Sequence, residues 1–259
     1  MRLTGTLYSK VLQMDTGITV VTPNKAERLQ QPAKVAYLLH GAGGNSRTWL
    51  DYSLLPVYAS RGNTIYILPE AGRSFYADMR HGQKFASYLC EELPEFCRRV
   101  FQISAAPEDT AVMGCSMGGY AALRSALQYP ERFGLCAAFS TGPLFLLETL
   151  TRLQEPSFCA AFVAQFGQQL LDDFGAIFGS ALQAEQTQDL TVLAQQAVGR
   201  APQLFLTCGR QDAFYAEHLR FCALLEKLGI AHTFESWDAG HTFPCFNDAL
   251  KRAIDHFSL

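Results

Sequence analysis

The chain has 259 residues, 49% hydrophobic and 17% charged, with a formal net charge of −3. Such a hydrophobic content supports a buried core and excludes a disordered chain. The small negative charge, with no Lys/Arg-rich block, gives nucleic acid or an anionic membrane surface no footing as a partner. The length suits one domain over residues 1–259. Residues 1–6 lack the apolar stretch of a secretory signal. No apolar run reaches the roughly 18 residues that span a bilayer. A cytoplasmic protein is expected, unless a leader was removed. The eight cysteines include no close C-x-x-C pair and several sit in apolar runs, so they read as buried free thiols.

In chain order, residues 6–14 and 18–22 read as two strands joined by a turn at Asp15-Thr16-Gly17. After a polar linker with Pro23 and Pro32, residues 35–39 form a continuous apolar run, as expected of a strand buried on both faces. Residues 64–68, 110–115, 135–139 and 203–207 repeat that pattern. Helical stretches are expected at about 79–101, 117–128 and 213–228. Buried strands alternating with helices predict an α/β fold: a mostly parallel sheet of about eight strands flanked by helices, with antiparallel strands at one edge. Residues 143–197 break this rhythm. Phe145, Leu146, Leu150 and Leu153 recur at helical spacing, as do Phe158, Phe162, Phe166 and Leu170. This is read as a helical insertion, serving either as a cover over a site or as peripheral packing. Asp172 and Asp173 within it read as solvated charges.

Gly114-Cys115-Ser116-Met117-Gly118 fits Gly-x-Ser-x-Gly, with a strand before it and a small-residue helix after it. That context is a nucleophile elbow, in which the serine sits on a strained turn and the glycines relieve backbone crowding. Ser116 is the candidate nucleophile. The Met117 N–H, at the start of the following helix, is the candidate first oxyanion donor. A serine hydroxyl needs a base oriented by a carboxylate. Downstream, His218 and His256 fall in helices and His232 opens a strand. His241 alone stands in a loop just past a strand, after Gly240, and is the candidate base. Asp212 ends the loop that follows the strand at 203–207, where open α/β sheets carry their chemistry, and is the candidate acid. Asp238 is its rival. His40-Gly41-Ala42-Gly43-Gly44 follows a buried strand and can bring backbone N–H groups close to a ligand. The second oxyanion donor is assigned to Ala42, with Gly43 as the alternative, and His40 is read as structural. The loop lacks the ending of a P-loop and the spacing of a dinucleotide fingerprint.

Together, residues 37–45, 72–79, 114–122, 208–214 and Gly240-His241 resemble the esterase family that includes tributyrin esterase and esterase D (S-formylglutathione hydrolase). The resemblance implies an α/β-hydrolase fold, the triad Ser116, Asp212 and His241, and activity on short-chain acyl esters, with sugar esters among the candidates. It also implies that Ser74-Phe75-Tyr76 lies beside the active site. Gly43, Phe75, Tyr76 and Phe243 are the candidate pocket residues, and Thr242-Phe243 follows the histidine where relatives often carry an aromatic such as Trp two residues on, so a different pocket shape is expected. The chemistry requires no cofactor and no metal, and the partner is a small-molecule acyl ester. Whether the chain forms a homo-oligomer stays open. Rival readings are thioester hydrolysis or acyl transfer by the same triad, and a catalytically silent binding module. Turnover is expected to fall at acidic pH as His241 takes up a proton.

Overall fold

The computed structural model describes residues 1–24 and 32–259; residues 25–31, inside the expected linker, lie outside it. β1 (Arg2–Ser9) and β2 (Met14–Val21) pair antiparallel, with Ser9 opposite Met14. The reversal therefore occupies residues 10–13, not Asp15-Thr16-Gly17, which lie opposite Tyr8, Leu7 and Thr6 within the ladder. Two observations explain the shift. Gln13 takes a left-handed φ of 56°. The Ser9 hydroxyl and the Lys10 N–H both donate to the Glu92 carboxylate, which fastens the turn to a distant helix.

β3 (Lys34–Leu39) is followed by two short helices, α1 (Thr48–Tyr52) and α2 (Leu55–Tyr58), and then β4 (Thr64–Pro69). α3 (Phe85–Ser87) runs through a π turn, Tyr88–Glu92, into α4 (Leu93–Phe101). The helix expected from residue 79 starts at Phe85 because the preceding residues fold back, with Met79 N–H bonded to Gln83 O and Phe85 N–H to Ala77 O. β5 (Thr110–Cys115), α5 (Met117–Gln128) and β6 (Leu135–Phe139) follow. The chain then runs through α6 (Leu146–Arg152), α7 (Pro156–Phe166), α8 (Gln168–Phe178) and α9 (Leu190–Gln196). β7 (Gln203–Gly209), α10 (Tyr215–Lys227), β8 (His232–Trp237) and α11 (Phe243–Phe257) complete it.

Among the described residues the strands form one eight-stranded sheet in the order β1-β2-β4-β3-β5-β6-β7-β8. β1, β2 and β4 pair antiparallel, and every neighbouring pair from β4–β3 to β7–β8 is parallel. Alternate residues of β3 serve opposite faces. Val35, Tyr37 and Leu39 join the core beneath α4, α5 and α9, whereas Ala36 and Leu38 join the core beneath α1 and α11. Period-2 side-chain alternation with both faces covered explains why β3 reads as unbroken apolar sequence. All eight cysteines are free thiols, seven of them buried. No helix among the described residues is long and apolar enough to cross a membrane.

One reading of the 143–197 segment needs correction. Asp173 is not solvated: it is 7% exposed, and its carboxylate accepts from Arg73 Nε at 2.7 Å and Gln169 Nε2 at 3.1 Å. The ion pair ties α8 to the loop after β4. Helical periodicity alone placed Asp173 on α8 but carried no information about Arg73, one hundred residues earlier.

Candidate active site

Ser116 sits between β5 and α5 with φ 54° and ψ −122°, a backbone conformation that L-residues tolerate only when neighbours enforce it. Its N–H donates to Phe139 O at 2.9 Å, and its own carbonyl accepts from Tyr120 N–H at 3.1 Å. The flanking glycines are sterically required. A Cβ on Gly114 would lie 2.6 Å from the Gly118 carbonyl, and one on Gly118 would lie 2.5 Å from Leu39 O. The helix therefore approaches β3 and β5 at backbone contact, and its N-terminus points at the serine.

Asp212 follows β7 in a tight turn, with Asp212 N–H bonded to Gly209 O at 3.1 Å. Its side chain is completely buried, and Oδ2 lies 2.8 Å from His241 Nδ1. Phe214 N–H donates to the other oxygen, Oδ1, at 3.0 Å. Burial alone would raise the Asp212 pKa, but hydrogen bonds from His241, Phe214 N–H and the Ser140 hydroxyl hold it below the ordinary carboxylate value. His241 is 37% exposed, and its ring is fixed edge-on against Phe246 and Phe214. Asp238, the rival acid, is exposed and accepts from Gln211 Nε2. Among the described residues it makes no hydrogen bond or ion pair with His241, whose Nδ1 pairs with Asp212.

Ser116 stands where two chambers meet. Ala42, Ser116 and His241 line both. The smaller, about 210 Å³, lies over Gly41, Cys115, Phe243 and Phe246. The larger, about 480 Å³, extends under α6, α7 and α8 and also meets Asp212 and Phe214. Its wall is aromatic: Phe75, Phe145, Phe158, Phe162, Phe166 and Phe174. Phe214 bridges its two sides, stacking at 5.5 Å on Phe166 of α7 and meeting the His241 ring at 5.6 Å. Among the described residues, the N–H groups of Ala42 and Met117 make no hydrogen bond within the protein. Both stay free for a ligand oxygen.

The four pocket candidates separate. Phe75 lines the large chamber and Phe243 the small one. Tyr76 and Gly43 line neither. Phe75 and Tyr76 both have left-handed φ, near 51° and 52°, so the chain twists between them and sends the rings opposite ways. Phe75 packs on Tyr120 and Phe174. The Tyr76 hydroxyl lies behind the loop after β3 and accepts from His40 N–H at 2.9 Å. Gly43, with φ 81°, faces Arg73.

His40 is buried and holds the loop. Its Nδ1 donates to Gly41 O at 2.9 Å, and Nε2 accepts from Ala71 N–H at 3.2 Å. Glu70 stands 3.5 Å from Nε2 and accepts from Gly72 and Ser46 N–H groups. Burial would raise the Glu70 pKa, but the adjacent His40 ring and the Gly72 and Ser46 N–H donors bring it down to about 2.

Sequence reasoning passed over His218. It is buried in α10, donates from Nδ1 to Phe214 O at 3.0 Å and accepts at Nε2 from Thr141 N–H at 3.2 Å. It thus joins the turn carrying Asp212 to the loop after β6. Its place in the first turn of α10 gave no sign of this, because Thr141 lies on another element.

The sequence matches the family described as "Putative esterase" over residues 9–257. It is 28% identical to an acetyl esterase of Caldicellulosiruptor saccharolyticus, over 97% of this chain and 96% of that protein. The fold superposes with a TM-score of 0.82 on FphF, a fluorophosphonate-binding serine hydrolase of Staphylococcus aureus, at 25% identity over 100% of this chain and 98% of that one. An S-formylglutathione hydrolase (FrmB) from Staphylococcus aureus shares the fold at a TM-score of 0.82 and 24% identity, over 100% of this chain and 99% of that one. With a family match across nearly the whole chain, this protein belongs to that esterase family and is a serine carboxylic-ester hydrolase of the α/β-hydrolase fold.

Proposed function

We propose that the enzyme hydrolyses short-chain acyl esters through Ser116, His241 and Asp212, with Met117 and Ala42 N–H groups as the oxyanion hole. The observation that carries this reading is the buried Asp212 carboxylate at 2.8 Å from His241 Nδ1, with His241 and Ser116 lining the same two chambers. Asp212 fixes the tautomer with the proton on Nδ1, leaving Nε2 unprotonated as the base. The Ser116 hydroxyl attacks the ester carbonyl carbon and passes its proton to His241 Nε2. The carbonyl oxygen becomes an oxyanion, met by two N–H donors that the fold leaves unpaired. Losing one such donor typically costs about 10²–10³ in turnover. Collapse of the intermediate breaks the bond to the alcohol oxygen, which leaves with the proton from His241. Water then attacks the acyl-enzyme, gives its proton to His241, and releases the carboxylic acid and free Ser116.

The two chambers give the substrate its orientation. A short acyl group fits the chamber of about 210 Å³ beside the oxyanion loop, and the alcohol lies in the chamber of about 480 Å³. The acetyl esterase relative supports a short acyl group. Residues 143–197 act as a cap, since α6, α7 and α8 wall the larger chamber. The test is hydrolysis of p-nitrophenyl esters from acetate to decanoate by wild type and Ser116→Ala. Activity concentrated on short acyl chains and abolished in the variant is expected. A wild type that turns over no ester would reject the reading.

A further inference from the structure

The larger chamber carries more charge than ester hydrolysis needs. Three carboxylates face it, and each is engaged. Asp212 holds His241. Glu148 gives both oxygens to Arg220, at 2.7 and 3.3 Å. Glu217 accepts from Leu144 N–H at 3.0 Å. Of the two guanidinium groups lining the chamber, Arg220 is therefore neutralised. Arg152, at the end of α6, has no direct partner: its guanidinium lies 3.9 Å over the Phe158 ring and forms no ion pair among the described residues, and the Arg220-paired Glu148 acts on it only through space. Stacking on a ring leaves the in-plane N–H donors pointing outward, arranged to meet a planar anion with two bonds. An aromatic wall with one exposed guanidinium outside any ion pair describes a site for a flat apolar group that ends in an anion.

Resting on the hydrolytic reading above, we propose that Arg152 selects esters whose leaving alcohol bears a carboxylate, the alcohol lying along the aromatic wall of the larger chamber. The carboxylate pairs with Arg152 while the acyl carbonyl sits at Ser116. The paired anion takes no part in bond making or breaking, so Arg152 acts on specificity alone.

The test uses two acetates with matched leaving groups, 3-(4-acetoxyphenyl)propanoate and its primary amide. They differ in charge far from the phenol oxygen. Wild type is expected to favour the carboxylate in kcat/KM by about five-fold, the scale of about 1 kcal/mol for a partly exposed ion pair. The preference should shrink as salt is raised. In Arg152→Gln the ratio should fall to near one, and Arg152→Lys should restore part of it. Because the readout is a ratio, a general loss of activity in a variant cancels. A wild-type ratio near one, or a ratio unchanged in Arg152→Gln, overturns the proposal while leaving the esterase reading intact. Hydrolysis of neither acetate, together with no fluorophosphonate labelling of Ser116, overturns both. A parallel pair, mono-4-nitrophenyl adipate against 4-nitrophenyl hexanoate, moves the anion to the acyl side. An Arg152-dependent preference found only there overturns the assignment of the chamber to the alcohol.

Discussion

Replacing His218 with glutamine should flatten the acid side of the stability profile. In the folded protein His218 is 1% exposed and has both ring nitrogens committed, one as donor to Phe214 O and one as acceptor from Thr141 N–H. Protonation would break the second bond and bury a charge, and burial lowers the pKa from 6.5 to about 4. The unfolded chain takes up this proton near pH 6.5, the native chain only near pH 4. The stabilisation is thus complete above pH 6.5 and is lost as pH falls toward 4. Linkage puts the loss from this group at about 2 kcal/mol between pH 8 and pH 5, and about 3 kcal/mol by pH 4. Urea unfolding at pH 8, 7, 6 and 5 measures it. Glutamine can still donate to Phe214 O and accept from Thr141 N–H but does not titrate. Its unfolding free energy should vary with pH by about 2 kcal/mol less than wild type over that range. Equal pH slopes for the two proteins would refute the buried, neutral histidine.

Three further outcomes are expected. Asp212→Asn should lower kcat on p-nitrophenyl acetate by about 10³–10⁴-fold with the circular dichroism spectrum retained, because the amide no longer fixes the His241 tautomer; near-normal turnover would remove Asp212 from the triad. Gly118→Ala places a Cβ 2.5 Å from Leu39 O; a stability loss of about 1–3 kcal/mol and a lowered Tm should follow from overpacking, and an unchanged Tm would show that the elbow is not at backbone contact. Phe174→Ala removes a buried ring that contacts Phe75, Phe162 and Phe178; it should cost about 3–5 kcal/mol in denaturant unfolding, and a cost below about 1 kcal/mol would mean that α8 is not packed on the sheet domain.

Much of this protein could be read locally. The elbow at Gly114–Gly118, the runs that became β3 to β7 and the loops bearing Asp212 and His241 follow from short-range rules, because strand burial and turn geometry are set by neighbouring residues. The first hairpin shows where such rules fail. Asp15-Thr16-Gly17 has turn chemistry, yet the turn formed at residues 10–13, because Glu92 collects the donors there. The fate of Phe75 and Tyr76 was also beyond local reading: adjacent in sequence and equally aromatic, they diverge because two successive left-handed residues twist the chain.

The sequence by itself determined the parallel sheet, the strained serine and the order of its candidate partners, since each depends on residue type and spacing along a few consecutive positions. Only the tertiary structure decided what surrounds them. Helical periodicity in 143–197 located the aromatic residues, but their meeting around one chamber, the neutralisation of Glu148 by Arg220 and the burial of Asp173 against Arg73 depend on how α6, α7 and α8 dock. Such docking joins residues up to one hundred positions apart, and pairings at that range are set by packing, which no local pattern encodes.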